Sequence, residues 1–275
     1  MRRPLIVALV TILVVGGLAL AGWMGFRYLQ KRITPEVCHV QVTDGSLTLS
    51  PAQARNASII VAASVERDLP EQAAVIAIAT AYQESGLRNL DYGDRDSLGL
   101  FQQRPSFGWG TEEQIMDPWY SSARFYEELV KFTNWDTTDV NDIAQKVQRS
   151  GHPDAYRKHV ENSQAVVGAL RGSVPASLGC ISFEPDPSPA REGLDRVLEA
   201  FGSALTVEET DDGLSITATD GTTAWAAAQH AVANSYDAAV TGVTLGDRQW
   251  RAASRQWETL QTPGPELTVV VTLAG

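Results

Sequence analysis

The sequence predicts a mainly α domain followed by a small C-terminal α/β (α+β) domain, both behind an N-terminal transmembrane helix. Three observations predict this order. Leu5 to Phe26 carry no charge and a single hydroxyl, Thr11, about the length needed to cross a bilayer. From Ser50 to about Leu170, proline and small polar residues recur at positions that start helices. Beyond a proline-rich stretch, helical spacing alternates with two-residue periodicity, as in a small layer of helices and strands.

The apolar run has two readings. Arg2, Arg3 and Ala19-Leu20-Ala21 look like a cleavable export signal. The run nevertheless continues through Trp23, Met24 and Phe26 to Arg27, Lys31 and Arg32, which resembles the aromatic and basic boundary of an uncleaved span. Residues 1–32 are therefore expected to form a cytoplasmic tip and membrane anchor, with the main domains extracellular, or secreted if the segment is cleaved. All 33 acidic residues lie at or beyond Glu36, and the chain has a net charge of −11, which argues against a nucleic-acid partner. The two cysteines, Cys38 and Cys180, bracket the helical region. In an exported chain they suggest a disulfide closing a long loop; two separate thiols, or a lipid attached at Cys38, are the alternatives. No metal or cofactor is expected, because His39, His152, His159 and His230 show no ligand spacing with the cysteines.

Taken in order, Ser50-Pro51 supplies a cap and a first-turn proline for a helix from Ala52 to Glu66. Leu69-Pro70 starts another, and residues 71–83 are apolar nearly all round, as in a central buried helix. Gly86 to Thr111 reads as loop with the short apolar run Leu98 to Phe101. Asp117-Pro118 opens a helix to about Phe132, Asn141 caps one through Gln148, and Pro153 opens one to about Leu170. The first domain is thus 45–172. Pro175, Pro185, Pro187 and Pro189 make 173–189 a stiff linker. In the second domain, 190–275, Leu194, Val197, Leu198 and Phe201 have helical spacing. Leu205, Val207, Leu214 and Ile216 alternate about Asp212-Gly213 as in a hairpin. A helix over Thr222 to Tyr236 and strands over Ala239 to Leu245 and Leu267 to Leu273 complete it. Trp225, Trp250 and Trp257 are expected in its core rather than in an aromatic site.

Glu84 is the candidate for chemistry. It ends the apolar helix just before Ser85-Gly86. Burial disfavours an ionised carboxylate, so such a glutamic acid can stay protonated near neutrality and donate to a glycosidic oxygen. The alternative is a solvated residue at a helix end. Tyr82-Gln83-Glu84-Ser85-Gly86-Leu87, followed by Gly99-Leu100-Phe101-Gln102, resembles the lysozyme-like lytic transglycosylase superfamily, whose pattern is Glu-Ser and then Gly-Leu-Met-Gln. Asn89 to Ser97, Gln102 to Ser106 and Gly108-Trp109-Gly110 also resemble exported lysozyme-like proteins of actinobacteria. The resemblance covers about 75–170 and implies a lysozyme-like catalytic domain acting on peptidoglycan glycan strands. It implies Glu84 as general acid and base, Ser85 as a residue orienting sugar or acid, Gln102 as a cleft residue and Tyr156 as a late cleft tyrosine. The Ala-Tyr-Asn-Ala-Gly block common in that superfamily is missing; Val147-Gln148-Arg149-Ser150 stands nearest to its place.

Reaction type turns on a second carboxylate. A hydrolase needs one, whereas a lytic transglycosylase lets the sugar's own 6-hydroxyl attack. Asp91, Asp94 and Asp96 lie in the loop; Asp94 and Asp96 are the candidates, against the reading that loop aspartates make turn hydrogen bonds. Tyr92 and Trp109 are candidate sugar-stacking residues, while Phe107 is a weaker one and the spacing of Trp119 points to core. The sequence therefore implies a single-glutamate glycan-strand-cleaving enzyme. The alternatives are a non-catalytic peptidoglycan-binding envelope protein and a muramidase that hydrolyses with Asp94 or Asp96.

Overall fold

The computed structural model describes residues 2–33, 36–149, 154–181, 190–254 and 256–274, with side chains of residues 11–26 alone in the first of these segments. Met1 to Glu36 and Val37 to Gly275 are two compact units. The first is a helix, α1, over Arg2–Ile33, whose apolar side chains from Ile12 to Phe26 are exposed. Among the described residues no helix is long and apolar enough to cross a membrane. That overturns the transmembrane helix expected at the N-terminus.

The second unit is α+β: helices combined with two antiparallel sheets, of three and six strands. This corrects the expectation of a mainly α domain followed by a small α/β one. The smaller sheet comes from segments that sequence patterning left unassigned or gave to the linker. Strands β1 (Val37–Val42) and β2 (Gly45–Leu49) form a hairpin, and β3 (Leu178–Ile181) pairs with the other edge of β1. Cys38 and Cys180 face each other across that second pairing and are joined in a disulfide.

Ser50 then caps α2 (Pro51–Val65) through a capping box: its hydroxyl accepts from the Gln53 N–H while the Gln53 side chain accepts from the Ser50 N–H. Helix α3 (Glu71–Ser85) is central, with Ala73 through Ala81 all buried. Three short helices follow: α4 (Glu112–Met116), α5 (Pro118–Leu129) and α6 (Val140–Gln148). The cap of α6 is Asp139, whose carboxylate accepts from the Asn141 N–H, so this helix starts ahead of the expected Asn141. Helix α7 (Val160–Leu170) ends where expected; Pro153, its expected start, lies outside the described residues, as do Pro185, Pro187 and Pro189 of the expected linker.

Helix α8 (Glu192–Glu199), β4 (Leu205–Thr210), β5 (Gly213–Ala218), α9 (Gly221–Ala233), β6 (Val240–Leu245), β7 (Arg248–Arg251), β8 (Glu258–Thr259) and β9 (Thr268–Leu273) complete the unit. The six strands run in the order β4-β5-β9-β6-β7-β8, with α9 against the sheet. The helical region and this sheet share one core. Trp250 and Trp257, both buried, donate their indole N–H groups to the carbonyls of Cys180 and Leu178 on β3. Gln229 of α9 accepts from the N–H groups of Ser177 and Leu178 and donates to the carbonyls of Ala169 and Val174. An indole or amide so placed satisfies backbone groups that burial would otherwise leave unpaired.

A second buried polar set joins α2 to α9. The Ser58 hydroxyl lies 2.7 Å from His230 Nδ1 and accepts from Asn234 Nδ2, with all three residues inaccessible. Burial, the largest cause, pushes the His230 imidazole down to about 3, with a hydrogen bond to the Leu170 backbone opposing the shift and Arg171 adding to it. The folded protein thus binds this proton less readily than the unfolded chain, whose histidine titrates near 6.5. Stability from this group is full above that value and is lost as pH falls toward 3. Between pH 6.5 and 4 the loss is expected to reach about 3 kcal/mol. Urea unfolding across that range, compared with a His230→Gln variant, should show a shallower pH slope in the variant; parallel slopes would refute this role.

Candidate active site

The site begins at the end of α3. Gly86 caps the helix in the left-handed conformation, φ 64°, with its N–H on the carbonyls of Ala81 and Tyr82, a geometry that costs glycine least. That stop leaves Glu84 on the last turn, half-buried. The hydroxyl of Tyr156, a fully buried residue, donates to Glu84 Oε1 at 2.6 Å. Burial raises the Glu84 carboxyl above its ordinary range, and the tyrosine bond offsets only part of that shift. The arrangement ties one oxygen to Tyr156 and leaves the other to carry and transfer a proton. Tyr156 is itself positioned from α6, its N–H donating to Asn141 Oδ1.

Ser85 faces elsewhere. It is buried, and its hydroxyl sits among the carbonyls of Ala81 and Leu100 and the N–H of Arg88, donating to Leu100 O at 2.7 Å. It therefore fastens the loop to the helix end, its hydroxyl engaged by backbone groups of both. The loop closes through the bridges Leu90 to Gly99 and Leu98 to Gln103. Gln102 has φ 49°, and its amide donates to the carbonyls of Tyr92 and Gly99 at 3.3 Å each. Gly93 lies directly beneath: a Cβ there would stand 2.0 Å from Gln102 Oε1.

Tyr92 is exposed, and Trp109 is half-buried against the core. Trp109, Gln102 and Phe107 line a hollow of about 310 Å³ together with Val147, Gln148 and Arg149 of α6 and its cap. Tyr92 is not part of that lining. Gln148 donates to Phe101 O at 2.8 Å, so the end of α6 grips the same loop that Ser85 holds from the other side. Gln148 and Arg149 lie outside the sequence candidates; their sequence signal is their place where the resembled superfamily has its asparagine block. A larger hollow, about 780 Å³, lies beside Glu66, Asp68, Glu71 and Arg171; Glu84 lines neither hollow.

The carboxylates of the loop differ in their engagement. Asp94 is exposed. Asp96 accepts from the Ser106 N–H at 2.9 Å and from Arg104 Nε at 2.8 Å. Its bonds to Ser106, and then that to Arg104, hold its carboxyl well below the usual carboxylate range. An aspartate so held is a weak base and a good loop clasp. Asp91 is exposed as well. Beyond Tyr156, the ring of His159 stacks on Tyr82 at 5.5 Å, and its Nε2 lies 3.2 Å from Gln83 Oε1.

Tyr156→Phe removes the tyrosine hydrogen bond to the acid and leaves the ring in place. Losing a bond that favours the carboxylate should raise the Glu84 carboxyl further, moving the alkaline limb of any pH–rate profile to higher pH. It should also lower the rate by roughly tenfold to a hundredfold through lost positioning. A profile that stays in place would remove Tyr156 from the site. No family profile and no curated protein matches the chain.

Proposed function

We propose that this protein cleaves the glycan strands of peptidoglycan outside the cell membrane, with Glu84 as general acid and then general base in a lytic transglycosylase-type reaction. The observation that carries the reading is the Glu84 carboxyl at the end of a buried helix, raised by burial and held by Tyr156 at one oxygen. In this reaction the free oxygen of Glu84 protonates the leaving glycosidic oxygen. The resulting carboxylate then takes the proton of the sugar's 6-hydroxyl as that oxygen bonds to the anomeric carbon, closing an anhydro ring. Trp109 and Phe107 offer aromatic faces to sugar rings in the hollow they line with Gln102. The disulfide favours an oxidising compartment, in keeping with action at or beyond the cell surface.

The single-glutamate form is favoured by the state of Asp96, whose carboxylate is spent on Arg104 and Ser106. Mass spectrometry of digested cell-wall glycan tests it: anhydro product ends are expected. Asp94→Asn and Asp96→Asn should reduce turnover by less than about tenfold. Ordinary reducing ends, or loss of cleavage in either folded variant, would mean a hydrolase; absence of any cleavage would favour a glycan-binding protein without turnover.

A further inference from the structure

We infer that Arg149 binds a carboxylate of the glycan, so that the hollow beside Gln102 selects muramoyl-type strands over strands that carry no carboxylate. The inference rests on the glycan-cleaving reading and adds to it a specificity-determining residue. Three guanidinium groups, Arg104, Arg124 and Arg149, line the hollow against one carboxylate, Glu128. Two of the three are committed. Arg104 binds Asp96 and lies over the Phe107 ring at 4.5 Å. Arg124 binds Glu127 and Glu128 along α5. Arg149 is exposed and has no ion pair or hydrogen bond among the described residues.

Its backbone adds a second observation. Arg149 caps α6 at φ 52° and ψ 37°, a left-handed conformation that glycine adopts most readily and that costs any residue bearing a Cβ. An uncommitted arginine at the rim of an aromatic-walled hollow, standing at a cap that glycine would fill at less cost, in a chain of net charge −11, points to a ligand of opposite charge. The guanidinium fork matches a carboxylate in two parallel bonds. The adjoining sugar faces would meet Trp109 and Phe107. Sugar hydroxyls are neutral, so the carboxylate must come from the lactyl ether of a muramoyl unit or from the peptide attached to it.

The test uses the full chain with Glu84→Gln to stop turnover, and compares Arg149, Arg149→Gly and Arg149→Lys. Gly fits the left-handed cap, and Lys keeps the charge without the fork. Three soluble oligosaccharides of equal length serve as probes: peptide-bearing muramoyl fragments, the same fragments stripped to the lactyl carboxylate, and chitin fragments, which carry neither. Arg149→Gly should weaken binding of one or both carboxylate probes about tenfold or more while chitin binding stays unchanged, and Arg149→Lys should fall between. The probe that loses affinity identifies the source of the carboxylate. Equal losses on all three probes, or no loss on any, would overturn the inference and leave the glycan reading standing. Failure of the Arg149 protein to bind any probe would overturn both.

Discussion

Glu84→Gln is expected to remove glycan cleavage by a factor on the order of 10³ or more while leaving the unfolding midpoint within about 1 kcal/mol of the parent. The amide keeps the size of the acid and can still accept the Tyr156 hydroxyl, which donates to Oε1. It cannot deliver a proton to a leaving oxygen or recover one from a 6-hydroxyl. The carboxyl of the parent is raised by burial, so replacing it by a neutral amide also removes a desolvation cost. Stability should therefore hold or rise slightly, a direction opposite to that of a mere structural residue. Turnover on purified cell wall, followed by release of soluble fragments, is the measurement. Wild-type rates in the folded variant would remove Glu84 from the chemistry and would take the transglycosylase reading with it.

What could be read from sequence follows how local each signal is. The end of α3 is local: an apolar helix, then Glu84, Ser85 and a glycine whose left-handed cap stops the chain. So are the starts of α2 and α5, where Ser50 and Asp117 cap helices opened by proline. The direction of the Ser85 hydroxyl is not local, because its partner is Leu100 O on a loop that folds back. The contact between Tyr156 and Glu84 spans 72 positions, and no periodicity reports it; only the motif resemblance pointed there. Strand pairing failed for the same reason. Alternation in 37–49 and 248–251 is short; β3, which pairs with β1, lies far along the chain, whereas β7 is too short a run to announce its hairpin with β6, where Leu245 stands opposite Arg248. The region after Gly172 also read as linker because prolines dominate its composition, whereas Leu178–Ile181 is fully buried and pairs with β1. One shared core follows from Trp250, Trp257 and Gln229 reaching β3, contacts that composition does not announce.

The Cys38–Cys180 disulfide gives the largest expected effect on stability. It joins strands β1 and β3 across a sequence separation of 142 residues. In the chain-entropy model a loop of that length removes enough freedom from the unfolded chain to contribute about 5 kcal/mol. A domain of this size holds about 5–15 kcal/mol in all, so the bond decides whether β3 stays docked under ordinary conditions. A double Cys38→Ala, Cys180→Ala variant leaves no buried thiol or hydroxyl to satisfy, which separates loss of the cross-link from new polar burial. Its urea midpoint should fall by the equivalent of about 3–5 kcal/mol. Reductant should bring the parent to the same midpoint and leave the variant unmoved. The loss should begin at β3, because Trp250 and Trp257 hydrogen-bond to the carbonyls of Cys180 and Leu178 there, and both indoles should become solvent-exposed early in the transition. Equal midpoints for parent and variant, with or without reductant, would show that the sheet is held by its hydrogen bonds and the two tryptophans alone.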